Sequence, residues 1–158
     1  MRSLDIGAVR VTERCLGHDP PLVDEVDAAA RLIAAEIEAG VPAEVRRRVS
    51  DAVGVAGTFL TLAANRLGLW RYEASRVHGY RLSLADIGHA VTEFSGLTSA
   101  ERGRLPGIQK GREDVILAGA LIAREALRAF GLADVRCSED DLLKGAALAL
   151  AEGRLTAE

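Results

Sequence analysis

An α/β fold, with small-residue helices packed on a sheet, is predicted by three features of this sequence. The first is composition. Hydrophobic residues make up 49% of the 158 residues but aromatics only 4%. A core of Ala, Leu, Val and Ile suits close-packed helices on a sheet better than a sandwich of large rings. The second is helical patterning, repeated along the chain and punctuated by three capping boxes. The third is the stretch Val53-Gly54-Val55-Ala56-Gly57-Thr58, where small and β-branched residues of a covered strand run into glycines and then into a helix.

From the N-terminus, Ser3-Leu4-Asp5-Ile6-Gly7-Ala8-Val9-Arg10-Val11 alternates and predicts a strand, followed by a short helix near residues 12–16. A strand this early suggests that native sequence precedes it. His18-Asp19-Pro20-Pro21 is a loop. Residues 21–39 place Val26, Ala29, Ala30, Ile33, Ala34 and Ile37 on one helical face, and Asp24, Glu25 and Asp27 complement the dipole at its start. Gly40 closes that helix. A second short helix over residues 42–48 ends in Arg46-Arg47-Arg48, which reads as a solvated surface.

The central strand follows from Asp51. Thr58 stands where a helix N-cap belongs, and the free N–H groups behind Gly57 form a seat for a phosphate or carboxylate, with a tight strand-to-helix turn that holds no ligand as the alternative. The helix runs to Leu67 and stops at Gly68. Trp70 and Tyr72 lead through a basic loop to an extended segment over residues 77–82. Ser83-Leu84-Ala85-Asp86 and Thr98-Ser99-Ala100-Glu101 are capping boxes that open the next two helices. After a loop at residues 107–111, the longest helix spans residues 113–130, apolar around most of its circumference. Gly119 within it implies the close approach of another backbone. Gly131 caps it, residues 134–137 form a last strand, and Ser138 to Asp141 open a final helix through Leu150.

Net charge is −3, but the stretch from residue 46 to 112 is net basic between acidic flanks. A positive field around an anion-sized seat is what a polyanion needs. Arg112 is placed after a glycine at the entrance of the longest helix, where its guanidinium would reach an anion at Gly57-Thr58, the alternative being a surface arginine beside its neighbours Glu113 and Asp114. Other chemistry is missing. No nucleophile elbow, Walker loop, dinucleotide fingerprint or zinc spacing occurs. His18, His78 and His89 lack ligand spacing, so no metal site is expected from this chain. His78 reads as a structural hydrogen-bonding residue. Glu13, Glu93 and Glu113 have structural accounts as helix-surface or helix-start residues. Cys15 and Cys137 form no CxxC and read as plain thiols, and no apolar run is long enough for a bilayer. A soluble, cytoplasmic protein without membrane or nucleic-acid partners is expected.

In order, the Ser3 to Glu13 segment, the Val53-Gly54-Val55-Ala56-Gly57-Thr58 turn, Val77-His78-Gly79-Tyr80-Arg81-Leu82, residues 98–102, Leu105-Pro106-Gly107 and Arg112-Glu113-Asp114-Val115-Ile116 resemble the C-terminal half of the exopolyphosphatase and guanosine pentaphosphate phosphatase (Ppx/GppA) family over nearly the whole chain. The resemblance implies the second, ribonuclease-H-like domain of an actin/Hsp70/sugar kinase fold, a mixed sheet flanked by helices. It implies residues 1–158 as that domain, without the first domain that carries the catalytic glutamate. By resemblance Gly54, Gly57 and Thr58 belong to the phosphate-binding glycine loop, Arg112 stabilises charge, and Mg2+ binds between the domains of the complete enzyme. The implied reaction is release of terminal phosphate from polyphosphate or guanosine pentaphosphate. Partners then include the missing N-terminal domain and a possible homodimer. A non-catalytic polyanion-binding or interaction module is the alternative, and a phosphotransferase on the same fold stands behind it.

Overall fold

A computed structural model describes residues 3–152. The elements, in order, are α1 (Ala8–Cys15), α2 (Val23–Gly40), α3 (Ala43–Arg46), β1 (Val53–Val55), α4 (Ala56–Arg66), α5 (Ala74–Val77), β2 (Arg81–Ser83), α6 (Leu84–Ser95), α7 (Ser99–Arg102), α8 (Ile116–Phe130), β3 (Asp134–Ser138) and α9 (Leu142–Ala151).

The sheet is mixed, in the order β1-β3-β2. β1 runs parallel to β3, with Val53 opposite Arg136 and Val55 opposite Ser138, while β2 is antiparallel, with Leu82 opposite Val135. Alternation along β3 explains its central place. Val135 and Cys137 are buried and Arg136 between them is exposed. Burial pushes the Cys137 thiol up to about 11, as expected for a thiol that behaves as a small hydrophobe.

The core is built around α8. Ile116, Leu117, Ala118, Ala120, Leu121, Ala123 and Leu127 are all buried, and α8 packs against α1, α2, α4 and α6. Ile33 and Ile37 of α2, Leu62 of α4 and Ile87 and Phe94 of α6 meet it from the surrounding sides. α8 ends as expected, with Gly131 in the left-handed region at φ 66°.

Several sequence-based boundaries move. The expected first strand is absent: no residue from 3 to 7 is in a strand, and the helix already begins at Ala8. Val11 is the buried residue of α1, and Leu4 and Ile6 pack as single side chains on the core. α4 begins at Ala56 with Val55 at the N-cap, so Thr58 is the third helical residue and not the cap. Ala56 takes the unusual backbone of the turn, with φ 65°. The closing helix starts at Leu142, capped by Asp141, whose carboxylate accepts from the Lys144 N–H at 3.0 Å. Ser138 lies earlier and its hydroxyl accepts from Asp140 N–H at 3.0 Å.

The other two capping boxes form as read. Ser83 Oγ accepts from Asp86 N–H at 3.0 Å while Asp86 accepts from Ser83 N–H at 3.2 Å. Thr98 Oγ1 and Glu101 repeat the exchange at 3.2 and 2.8 Å. The arginine triplet departs from a purely solvated surface. Arg46 donates to the carbonyls of Val41 and Ala129, tying α3 to the end of α8.

Candidate functional site

Gly57, Thr58 and Arg112 come together, as their positions predicted, in a cleft of about 430 Å3 lined by Gly7, Ala8, Val55, Ala56, Phe59, Ile122 and neighbouring residues. Two helices begin there. Neither α1, entered from Gly7, nor α4, entered from Val55, has a side-chain cap. Their first N–H groups are therefore available to an anion, and both dipoles present their positive ends to the same space.

Glycine at position 57 leaves room for the Arg112 side chain. A β-carbon there would overlap the Arg112 guanidinium, which lies directly over the Gly57 backbone. Arg112 makes no side-chain hydrogen bond or ion pair among the described residues. Pairing with Glu113 or Asp114, the natural alternative, does not occur. Asp114 instead receives the Ser99 hydroxyl, and Glu113 Oε2 is buried with no partner. The charge of Arg112 is thus uncommitted at the mouth of two helix dipoles.

Arg112 leaves a short turn and not the helix itself. α8 begins at Ile116, later than expected, because residues 112–115 form a turn in which Arg112 accepts from the N–H groups of Val115 and Ile116 at 3.1 and 2.9 Å. The loop before it is fastened to α4. Asn65 Nδ2 donates to Pro106 O at 3.0 Å, and Gly107, at φ 80°, sits so close to the Asn65 backbone that a side chain would collide with it.

Thr58 and Gly54 have packing roles. A β-carbon at Gly119 would come within 2.9 Å of Thr58 Cγ2 and Oγ1. The close neighbour of Gly119 is therefore a side chain, where a backbone was expected. Gly54 is buried beneath the Phe59 ring and does not line the cleft. Its lack of a side chain lets Phe59 close the back of the turn.

His78 is removed from the cleft chemistry, since its Nδ1 accepts from the Glu139 N–H at 3.2 Å. Among the described residues no group of three His, Cys, Asp or Glu side chains is arranged to hold a metal ion. Among the described residues the cleft lining contains no carboxylate or imidazole, so these residues lack the oxygen set that Mg2+ requires. It can bind and neutralise an anion but supplies no general base. No helix among the described residues is long and apolar enough to cross a membrane.

Two features escape a reading of the sequence. Ala56 carries the left-handed backbone that glycine would normally take. Arg102, in a polar stretch with no motif to mark it, is buried.

The model of the Ppx/GppA phosphatase family matches residues 1–152. Exopolyphosphatase 2 of Mycobacterium tuberculosis is 40% identical over 156 residues, covering 94% of this chain and 48% of that protein. An uncharacterized protein of Streptomyces coelicolor is 32% identical over 133 residues, covering 82% of this chain and 39% of its own length. The crystal structure of the Aquifex aeolicus member of the Ppx/GppA protein family superposes with a TM-score of 0.87 at 29% identity, over 98% of this chain and 49% of that one. The chain spans about half the length of the relatives it matches. Its mixed α/β architecture is that of these actin/Hsp70-like proteins.

Proposed function

Because this chain belongs to the Ppx/GppA phosphatase family, we propose that it forms the second domain of a phosphoanhydride hydrolase and supplies the phosphate-holding wall of its cleft. The substrate is inorganic polyphosphate or guanosine pentaphosphate, from which the terminal phosphate is released. The observation that carries this reading is the unpaired Arg112 guanidinium lying over Gly57 at the uncapped start of α4. Phosphoryl transfer depends on positioning and charge neutralisation more than on covalent help from the protein. In this mechanism backbone N–H groups at Gly57 and Thr58 orient the terminal phosphates, and Arg112 neutralises the charge that grows on their oxygens. The half of the relatives' length that this chain does not span supplies the base that activates water. Magnesium neutralises phosphate charge in such chemistry, but the described residues of this cleft offer none of the carboxylate oxygens that would hold it.

A second reading rests on the same lining. With no base among the described residues of the cleft lining, the chain alone acts as a polyanion-binding module that holds phosphate without cleaving it. Phosphate release separates the two. The N-terminally extended protein is expected to release phosphate from polyphosphate or guanosine pentaphosphate, the chain alone to release none, and Arg112→Ala in the extended protein to slow release on the order of 100-fold. Unchanged release in that variant would sink the role given to Arg112.

A further inference from the structure

Arg102 closes α7 and is only 5% exposed. Burying a guanidinium is costly unless its donors are used. Here they are spent on backbone carbonyls. Nε donates to Glu113 O at 2.9 Å, and Nη1 donates to Phe94 O and Leu97 O at 3.0 and 2.8 Å. The nearest paired carboxylate, Asp19, stands 3.7 Å from Nη2. Burial lowers the guanidinium's proton affinity, and the charges of Asp19 and Asp114 oppose that effect.

These carbonyls come from two separate places. Phe94 is a core residue near the end of α6, and Leu97 stands in the turn just after that helix. Glu113 is the residue directly after Arg112, ahead of the first turn of α8. One rigid, planar side chain therefore fastens the Arg112 turn to α6. The other end of the same loop is held by Asn65 and Gly107 against α4. Between the two anchors Arg112 N–H donates to Gln109 O at 3.0 Å, while its own side chain bonds to nothing among the described residues. A side chain without partners can be aimed only by the backbone it leaves.

We infer that Arg102 is a positioning residue for Arg112: by holding the Glu113 carbonyl to the end of α6, it fixes the direction from which the Arg112 guanidinium lies over Gly57. This rests on the reading that Arg112 binds phosphate. A purely structural Arg102 would alter stability and leave the affinity of the folded protein alone. Lysine keeps the charge, but its three donors sit on one nitrogen and cannot reproduce bonds made from the separate Nε and Nη1 of a planar guanidinium.

The test is calorimetric titration of inorganic tripolyphosphate into wild-type chain, Arg102→Lys, Arg112→Ala and the double variant, at a temperature where circular dichroism shows each folded. Arg102→Lys is expected to weaken binding roughly tenfold or more, and the double variant to bind no worse than Arg112→Ala alone, because both changes remove one interaction. The tripolyphosphate-induced shift in melting temperature gives the same comparison for a variant of low stability. Wild-type affinity in Arg102→Lys, or losses that simply add, would overturn the inference while leaving phosphate binding by Arg112 intact. Equal binding by wild type and Arg112→Ala would overturn the underlying reading as well.

Discussion

At the scale of single residues, two glycines in one turn do different jobs. Gly57 makes room for a flexible guanidinium, whereas Gly54 makes room for a ring that closes the back of the turn. Gly57→Ala is expected to cost little stability, since Arg112 can swing aside, but to weaken tripolyphosphate binding about tenfold by displacing that charge. Gly54→Ala is expected to do the reverse, costing about 1–3 kcal/mol through overpacking with far less effect on affinity. Denaturant melts and titrations of the two variants check the contrast. Glu25 shows how a carboxylate outside the cleft lining contributes to acid stability. The hydrogen bond from His18, and then the N–H of Leu22, hold its carboxyl down to about 2 from 4.5. A depressed folded-state value means that the stabilisation is complete above the ordinary value and is lost as pH falls from about 4.5 towards 2. Glu25→Gln should therefore lower the melting temperature at neutral pH, and the gap from wild type should close across that window. A gap that persists at pH 2 would contradict the assignment. Both glycines and the carboxylate stand out in the sequence, but the division of labour between Gly54 and Gly57 depends on where Phe59 and Arg112 turn, which no local pattern reports.

Among the elements, helices with chemical punctuation were the most legible. The boxes at Ser83 and Thr98 and the glycine after α8 lie where side-chain chemistry put them, because a cap is decided by four or five neighbouring residues. Ser83→Ala removes the cap of α6 and should destabilise the chain by about 1 kcal/mol, read from a denaturant midpoint that shifts at constant slope. No shift would mean that the packing of Ile87 and Phe94 alone sets the start of α6. The alternation of residues 3–11 misled, because a strand exists only when another strand pairs with it. Ser3 to Gly7 has no strand partner among the described residues, while Val11 has the apolar face of α8 to join. The start of α4 was misplaced for a related reason. Thr58 has the chemistry of a cap, but its side chain is used in the contact with Gly119, a residue far away in the chain.

For the whole molecule, the sheet and α8 bring distant segments to one cleft: the entrance of α1, the turn between β1 and α4, and the loop ahead of α8. Arg112 and Gly57 were recognisable separately, from a glycine turn inside a basic stretch and from an arginine at a helix entrance. Their stacking is tertiary, and so is the burial of Arg102, whose partners are carbonyls that carry no side-chain signal. The fold class was legible because composition alone excludes a core of large rings. The lack of a base among the described residues of the cleft is a property of the assembled lining, and it separates holding phosphate from cleaving it. That separation rests on Arg112 and the α4 terminus acting together on an anion. The most direct test is calorimetric titration of tripolyphosphate into this chain and its Arg112→Ala variant at low salt. Removing a charged donor to phosphate is worth about 1.5–3 kcal/mol, so saturable binding to wild type and a roughly ten- to hundredfold loss in the variant are expected. Equal affinity for both would contradict the account.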